Sequence, residues 1–341
     1  MRRISLGGRL ALWGDDSAGA NQGMESACGE QPLPAHANSV VELQMGFALS
    51  LTRLGTQRLV VGRRAQFGCL RCVKNAEMKL RQHRIIEVAG AKLECAVHGS
   101  GDPVVLLANA GCSVGYLDDL AGTLAASGLQ AICINMRGVG ESCGSLEDAT
   151  LHDLAADVAG AIEVLNCGPV HLIGHAFGNR IARCLAVDRP SLVRKVVVLA
   201  AGGLIAPPTG HIGTHFRNAS EVKMNGSDCV TRLGVRWLSP ASDPRILSAV
   251  ECWPAVFTAH LGTSSNIPLD AWWAAGTAPL LVVQGLDDAA AVPANGYALR
   301  EQFGERVRVV DLPHAGHFMV LEQPEAVARA VLQFLDVEAL S

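Results

Sequence analysis

From residue 85 onward, short runs that are apolar at nearly every position alternate with stretches whose apolar residues recur at helical spacing. Val104–Leu107, Ala131–Asn135, Val170–Ile173, Val196–Leu199, Leu280–Val283 and Val307–Val310 read as strands, most of them without a polar face. Such a strand must be covered on both sides, which is the situation of a parallel sheet rather than of an antiparallel sheet with one wet face. Leu117–Ala126 and Asn179–Val187 read as helices between them. A further helix places Leu151, Leu154, Val158, Ile162 and Leu165 on one side. Thr150-Leu-His-Asp153 has the form of a capping box at its start. A last helix runs from Pro324, a suitable first-turn residue, to about Leu335. Ile85–Val88 and Leu93–Val97 form a strand pair around the turn Ala89-Gly90. The alternation predicts an α/β architecture: a mostly parallel, eight-stranded sheet with helices on both faces.

Two regions break the pattern. Residues 203–278 lie between two strands and are far too long for a simple connection. They hold four of the five tryptophans, Trp237, Trp253, Trp272 and Trp273, together with Phe216 and Phe257. An inserted helical lid is expected there, its aromatic residues either lining a pocket or packing the insertion onto the main body. Residues 1–77 carry nine Lys/Arg against six Asp/Glu, and the first forty show no sustained period. They read as a disordered extension, or as the product of a start codon upstream of Met78. The core is then expected over 78–202 and 279–341.

Composition narrows the function classes. With 49% hydrophobic and 18% charged residues, the 341-residue chain as a whole is not disordered. A net charge of −4 without a long Lys/Arg run argues against nucleic-acid binding. No apolar run reaches the roughly 18–20 residues of a membrane helix. Eleven cysteines, an odd number, follow no convincing secretory signal, so a reducing cytoplasm is expected and the thiols read mainly as small buried residues. Cys69-Leu-Arg-Cys72 is a lone pair without a second CxxC. No dinucleotide fingerprint, phosphate loop or metal-ligand cluster is present, so the expected partner is a small-molecule substrate, with no cofactor and no metal.

Three segments carry the chemistry. Gly174-His-Ala176-Phe-Gly178 stands between a strand and a helix, the setting of a G-x-S-x-G nucleophile elbow, but its central residue is alanine. Leu280–Gly285 runs into Leu286-Asp287-Asp288. Leu312-Pro-His314-Ala-Gly316-His317-Phe318 lies between the last strand and the last helix. Together these motifs, in this order, resemble the α/β-hydrolase superfamily over about residues 80–338, in particular its small lidded enol-lactonase, C–C hydrolase and esterase members. Asn135-Met-Arg-Gly-Val-Gly-Glu-Ser142 is similar to that family's D-x-R-G-x-G-x-S loop, with Asn in place of Asp, so Ser142 is read as structural.

The resemblance implies His317 as general base and Asp288 as its orienting acid, with Asp287 as the alternative acid. His314 reads as incidental or pocket-lining. The oxyanion donors implied are the backbone N–H of Phe177 and one from the loop near Ala110. Ala176 occupies the nucleophile position and cannot attack, so an ordinary acyl-enzyme route is closed. Cys112 and Cys143 are the nearby substitutes to weigh, each useful only within reach of His317. Hydrolysis of a small ester, lactone or diketone by a His–Asp dyad is the expectation. The alternatives are cofactor-free oxygenase or lyase chemistry by the same dyad, a non-catalytic binding protein, and an engineered Ser→Ala change.

Overall fold

The computed structural model describes residues 82–207 and 237–337. The expectations for residues 1–77, including the Cys69–Cys72 pair, and for Phe216 lie outside these residues. Two antiparallel strands, β1 (Gln82–Val88) and β2 (Ala91–Gly99), open the fold, turning at Ala89-Gly90 as expected. Then follow β3 (Asp102–Leu107), α1 (Asp118–Ala126), β4 (Leu129–Ile134) and the two-residue β5 (Cys143–Gly144). Next come α2 (Leu151–Val164), β6 (Val170–His175), α3 (Phe177–Asp188) and β7 (Val193–Leu199). The insertion contributes α4 (Pro254–Gly262). The chain closes with β8 (Leu280–Gly285), α5 (Ala294–Phe303), β9 (Val307–Leu312), α6 (Met319–Glu322) and α7 (Pro324–Leu335). Thr150 and Asp153 form the reciprocal capping box at the start of α2.

The sheet runs β1-β2-β4-β3-β6-β7-β8-β9, with β5 paired to β2 off this path. β2 pairs antiparallel with β4, and every pair from β4 through β9 is parallel. Val104–Leu107 and every residue of β6 and β8 are buried, which explains why these strands carry no polar face. Helices α1 and α7 pack together, as do α2 and α3.

The strand order fixes where a ligand site belongs. From β3 the chain moves outward to β4, then crosses back to place β6 on β3's other side. The loops leaving β3 and β6 therefore diverge at a topological switch point, where open α/β sheets form their crevice. Among the described residues, no helix is long and apolar enough to cross a membrane.

Candidate active site

The turn from β6 into α3 is made by close approach. A Cβ on Gly174 would lie 2.4 Å from the backbone of Asn179, and one on Gly178 would lie 2.4 Å from the carbonyl oxygen of Leu107. The residue between them, Ala176, is forced to φ 50°, ψ −108°, a region that L-residues rarely adopt. Its N–H donates to the Leu199 carbonyl at 2.9 Å. The sequence thus retains the strained elbow around a side chain that has no reactive atom.

In the loops that follow β8 and β9, His317 Nδ1 lies 3.0 and 3.2 Å from the two carboxylate oxygens of Asp288. Asp288 is buried, and its Oδ1 also accepts the N–H groups of Ala290 and Ala291, each at 2.8 Å. Asp287 points elsewhere: it is exposed and accepts a 2.6 Å bond from the Ser239 hydroxyl. His314 occupies an exposed turn at φ 57° rather than a pocket wall. In the tautomer whose Nδ1–H donates to this carboxylate, the ring's lone pair lies on Nε2.

Trp237, which sequence reasoning placed in the insertion, and several residues that it missed hold this imidazole in place. His175 is fully buried beside it, with ring centroids 5.2 Å apart. The His317 carbonyl can only accept, so the 2.7 Å contact to His175 Nε2 puts the His175 proton there. His175 Nδ1 then accepts from the Tyr116 hydroxyl at 2.7 Å, and that oxygen accepts the Asn109 N–H at 2.8 Å. Burial, with the His317 ring adding to it, pushes the His175 pKa down to about 3, so this relay stays neutral. The His317 N–H donates to the Trp237 carbonyl at 2.7 Å, and the Trp237 ring meets the imidazole edge-on at 4.8 Å. Glu322 accepts the Gly316 N–H at 2.9 and 3.0 Å, as well as the Ser239 N–H and the Ser242 hydroxyl, tying the His317 loop to the insertion.

The two candidate oxyanion donors converge, and they converge on a protein atom. Asn109 Oδ1 accepts the Ala110 N–H at 2.8 Å and, at a longer 3.4 Å, the Phe177 N–H. Behind them, the Gly111 N–H donates to His260 Nδ1 at 3.1 Å, and His260 Nε2 donates to the Arg137 carbonyl at 2.9 Å. His260 comes from α4 and stacks on Phe177 at 5.4 Å, so the insertion braces this loop as well. Burial pushes the His260 pKa down to about 4.

The four tryptophans do not form one group. Trp237 touches His317, as above. The N–H of Trp253, the residue preceding α4, donates to the Gly111 carbonyl at 2.7 Å. Trp272 and Trp273 pack instead on α3, where Arg183 lies 4.5 and 5.1 Å from their ring centres.

The remaining candidates are structural in their placement. Ser142 donates to the Asn135 carbonyl and accepts the Glu94 N–H, both at 2.8 Å. Arg137 forms a two-point pair with Asp157 at 2.6 and 2.8 Å. Cys143 sits on β5 beside β2, several strands from β8, and Cys112 is buried with its backbone bridged to Cys252. Among the described residues, two groups of side chains have the spacing to hold a metal ion, His98–Asp118–Cys133 and His152–Cys184–Asp188, and neither includes His317 or Asp288. A cleft of about 400 Å³ between residues 146–150 and 259–267 also excludes that pair.

The chain is 27% identical over 261 residues to BpoC of Mycobacterium tuberculosis, named as a non-heme bromoperoxidase, covering 70% of this chain and 95% of that protein. It is 27% identical over 213 residues to the (E)-2-((N-methylformamido)methylene)succinate hydrolase of Acinetobacter baylyi, covering 60% of this chain and 80% of the other. The enol-lactonase of Burkholderia xenovorans shares the fold, with a TM-score of 0.63 at 20% identity, over 74% of this chain and all of that one. Residues 96–330 match the alpha/beta hydrolase family, and the chain belongs to it.

Proposed function

We propose that this protein hydrolyses a small apolar or aromatic ester, lactone or C–C diketone substrate with the His317–Asp288 pair and without a covalent intermediate. The observation that carries this reading is the contact between His317 Nδ1 and the buried Asp288 carboxylate at 3.0 Å. His317 Nε2 removes a proton from water as the water oxygen adds to the substrate carbonyl. The N–H groups of Ala110 and Phe177 receive the resulting oxyanion once the Asn109 amide oxygen has moved away. Collapse of the tetrahedral species expels the leaving group, which takes its proton back from His317. Ala176, one methyl deep, leaves the nucleophile position to water.

A second reading is supported by the same loop. With the nucleophile absent and Asn109 Oδ1 on both N–H groups, the crevice suits a protein that binds a ligand without turning it over. A panel of aryl esters, enol-lactones and β-diketones distinguishes the two, run on the native protein, His317→Ala and Ala176→Ser. Product from the native protein that is lost in His317→Ala supports the dyad. Activity gained only by Ala176→Ser moves the assignment to ligand binding.

A further inference from the structure

A buried cationic cluster lies beside the insertion and plays no part in the proposed reaction. Arg183, on α3, is fully buried. Its Nε donates to the Asn179 carbonyl at 3.3 Å, and its Nη2 to Asn179 Oδ1 at 2.6 Å and to the Gly202 carbonyl at 2.9 Å. All these acceptors are neutral. Its Nη1 is buried without any hydrogen-bond partner. One turn earlier, the partly buried Arg180 donates to the Ser264 hydroxyl at 3.1 Å, again a neutral group. Both guanidinium groups face the same indole, at 4.5 and 5.6 Å from the ring centre of Trp272. The Trp272 Nε1–H is itself buried and without a partner, and the residue is 4% exposed.

Among the described residues, no carboxylate pairs with either arginine, whereas the part-buried Arg137 pairs with Asp157. Burial pushes the pKa of both guanidinium groups down, with the Arg180 charge adding to the effect at Arg183, yet arginine keeps its proton in proteins. Two positive charges in a shielded setting demand a counter-charge, because an unpaired buried ion is strongly disfavoured. Two buried N–H donors with nothing to donate to are equally unusual.

We propose that Arg183 Nη1, Trp272 Nε1 and the Arg180 guanidinium form a binding site for a small carboxylate anion. A carboxylate supplies the missing charge and acceptor oxygens for both orphan donors. Gly203 is exposed, and a Cβ there would lie 2.7 Å from Cη2 of Trp272, so the indole edge sits directly beneath a residue with no side chain. The site is independent of His317 and Asp288, and its test needs no turnover.

The experiment is a thermal melt of the full chain at fixed ionic strength, titrated with formate, acetate or monomethyl succinate against chloride. Four proteins are compared: native, Trp272→Phe, Arg180→Gln and Arg183→Met. The native protein should show a saturable rise in Tm, about 5 °C when the anion stands at 100 times its Kd. Trp272→Phe retains a ring and removes one N–H, so it should weaken saturation several-fold, and Arg183→Met should abolish it. If Arg183→Met does not fold, Trp272→Phe and Arg180→Gln decide. Saturation by formate identifies a resident counter-ion, and saturation only by monomethyl succinate identifies one end of a larger ligand. A flat response, or a non-saturating one shared by all four proteins, overturns the proposal and leaves the orphan donors to internal water.

Discussion

At the end of β6, Ala176 holds φ 50°, ψ −108° around a methyl group, whereas at the ends of β8 and β9 Asp288 and His317 meet at 3.0 Å with every supporting bond in place. One side of the crevice has its conformation without reactive atoms, and the other has both. The difference separates two requirements that act together in a nucleophile-based hydrolase. Elbow geometry is demanded by strand-to-helix packing around Gly174 and Gly178, and it is held here with only a methyl group between them. Furnishing His317 is more demanding, since Asp288, His175, Trp237 and Glu322 come from four separate stretches of chain. That elaborate support is the reason for placing any chemistry on this side.

The sharpest test of the contrast removes its His317 side. His317→Ala should lower turnover of any substrate found in the panel by about 10²–10⁴-fold, the usual contribution of a positioned acid–base group. A residual rate within threefold of native would break the comparison outright.

The next effect concerns the two buried histidines that brace the halves. His175 and His260 have folded pKa values of about 3 and about 4, below the ordinary 6.5. The unfolded chain therefore takes up protons as pH falls while the folded chain refuses them. Their stability contribution is intact above pH 6.5. It is lost from there down to about pH 4 for His260 and about pH 3 for His175, at up to about 1.4 kcal/mol per pH unit for each group. Urea unfolding as a function of pH checks this, and His260→Gln should remove one proton's worth of the slope. An unchanged slope in that variant would show that His260 titrates normally.

A smaller effect is expected on the oxyanion side. Asn109→Ala removes the oxygen held by Ala110 and Phe177 and should raise kcat/KM about five- to tenfold, the worth of one displaced hydrogen bond. A fall instead would mean that Asn109 serves the reaction directly. Least of all, Ala176→Gly should stabilise the fold by about 1 kcal/mol, because glycine tolerates the positive φ that alanine is forced to hold. Chemical denaturation reads this directly, and a loss of stability would argue against strain at the elbow.

The elements most legible in sequence were those set by neighbours along the chain. The capping box of Thr150 and Asp153, the start of α7 at Pro324 and the apolar central strands all depend on local pattern, and all are observed. Asp288 and His317 were singled out because the loops after β8 and β9 resemble the family's motifs, and choosing Asp288 over Asp287 took the geometry. His175, Tyr116, Asn109 and His260 were not, since their partners lie far away in sequence. His175 meets a carbonyl 142 positions on, and His260 meets a loop 149 positions back. Helix α5 was also missed, because only Asn295, Gly296 and Leu299 of its ten residues are buried and no apolar stripe marks it. The tryptophans illustrate the same limit: composition grouped them, and packing divided them between His317, the Gly111 loop and Arg183.

Trp237 adds a constraint on how such proteins diversify. Its carbonyl receives the His317 N–H and its ring abuts the imidazole, while His260 on the same insertion grips the loop of Gly111. The insertion is therefore not an exchangeable cassette. A segment grafted from a relative to alter ligand preference would remove two struts from the machinery beneath it, so selectivity and the set of the imidazole must be inherited, or engineered, as one trait.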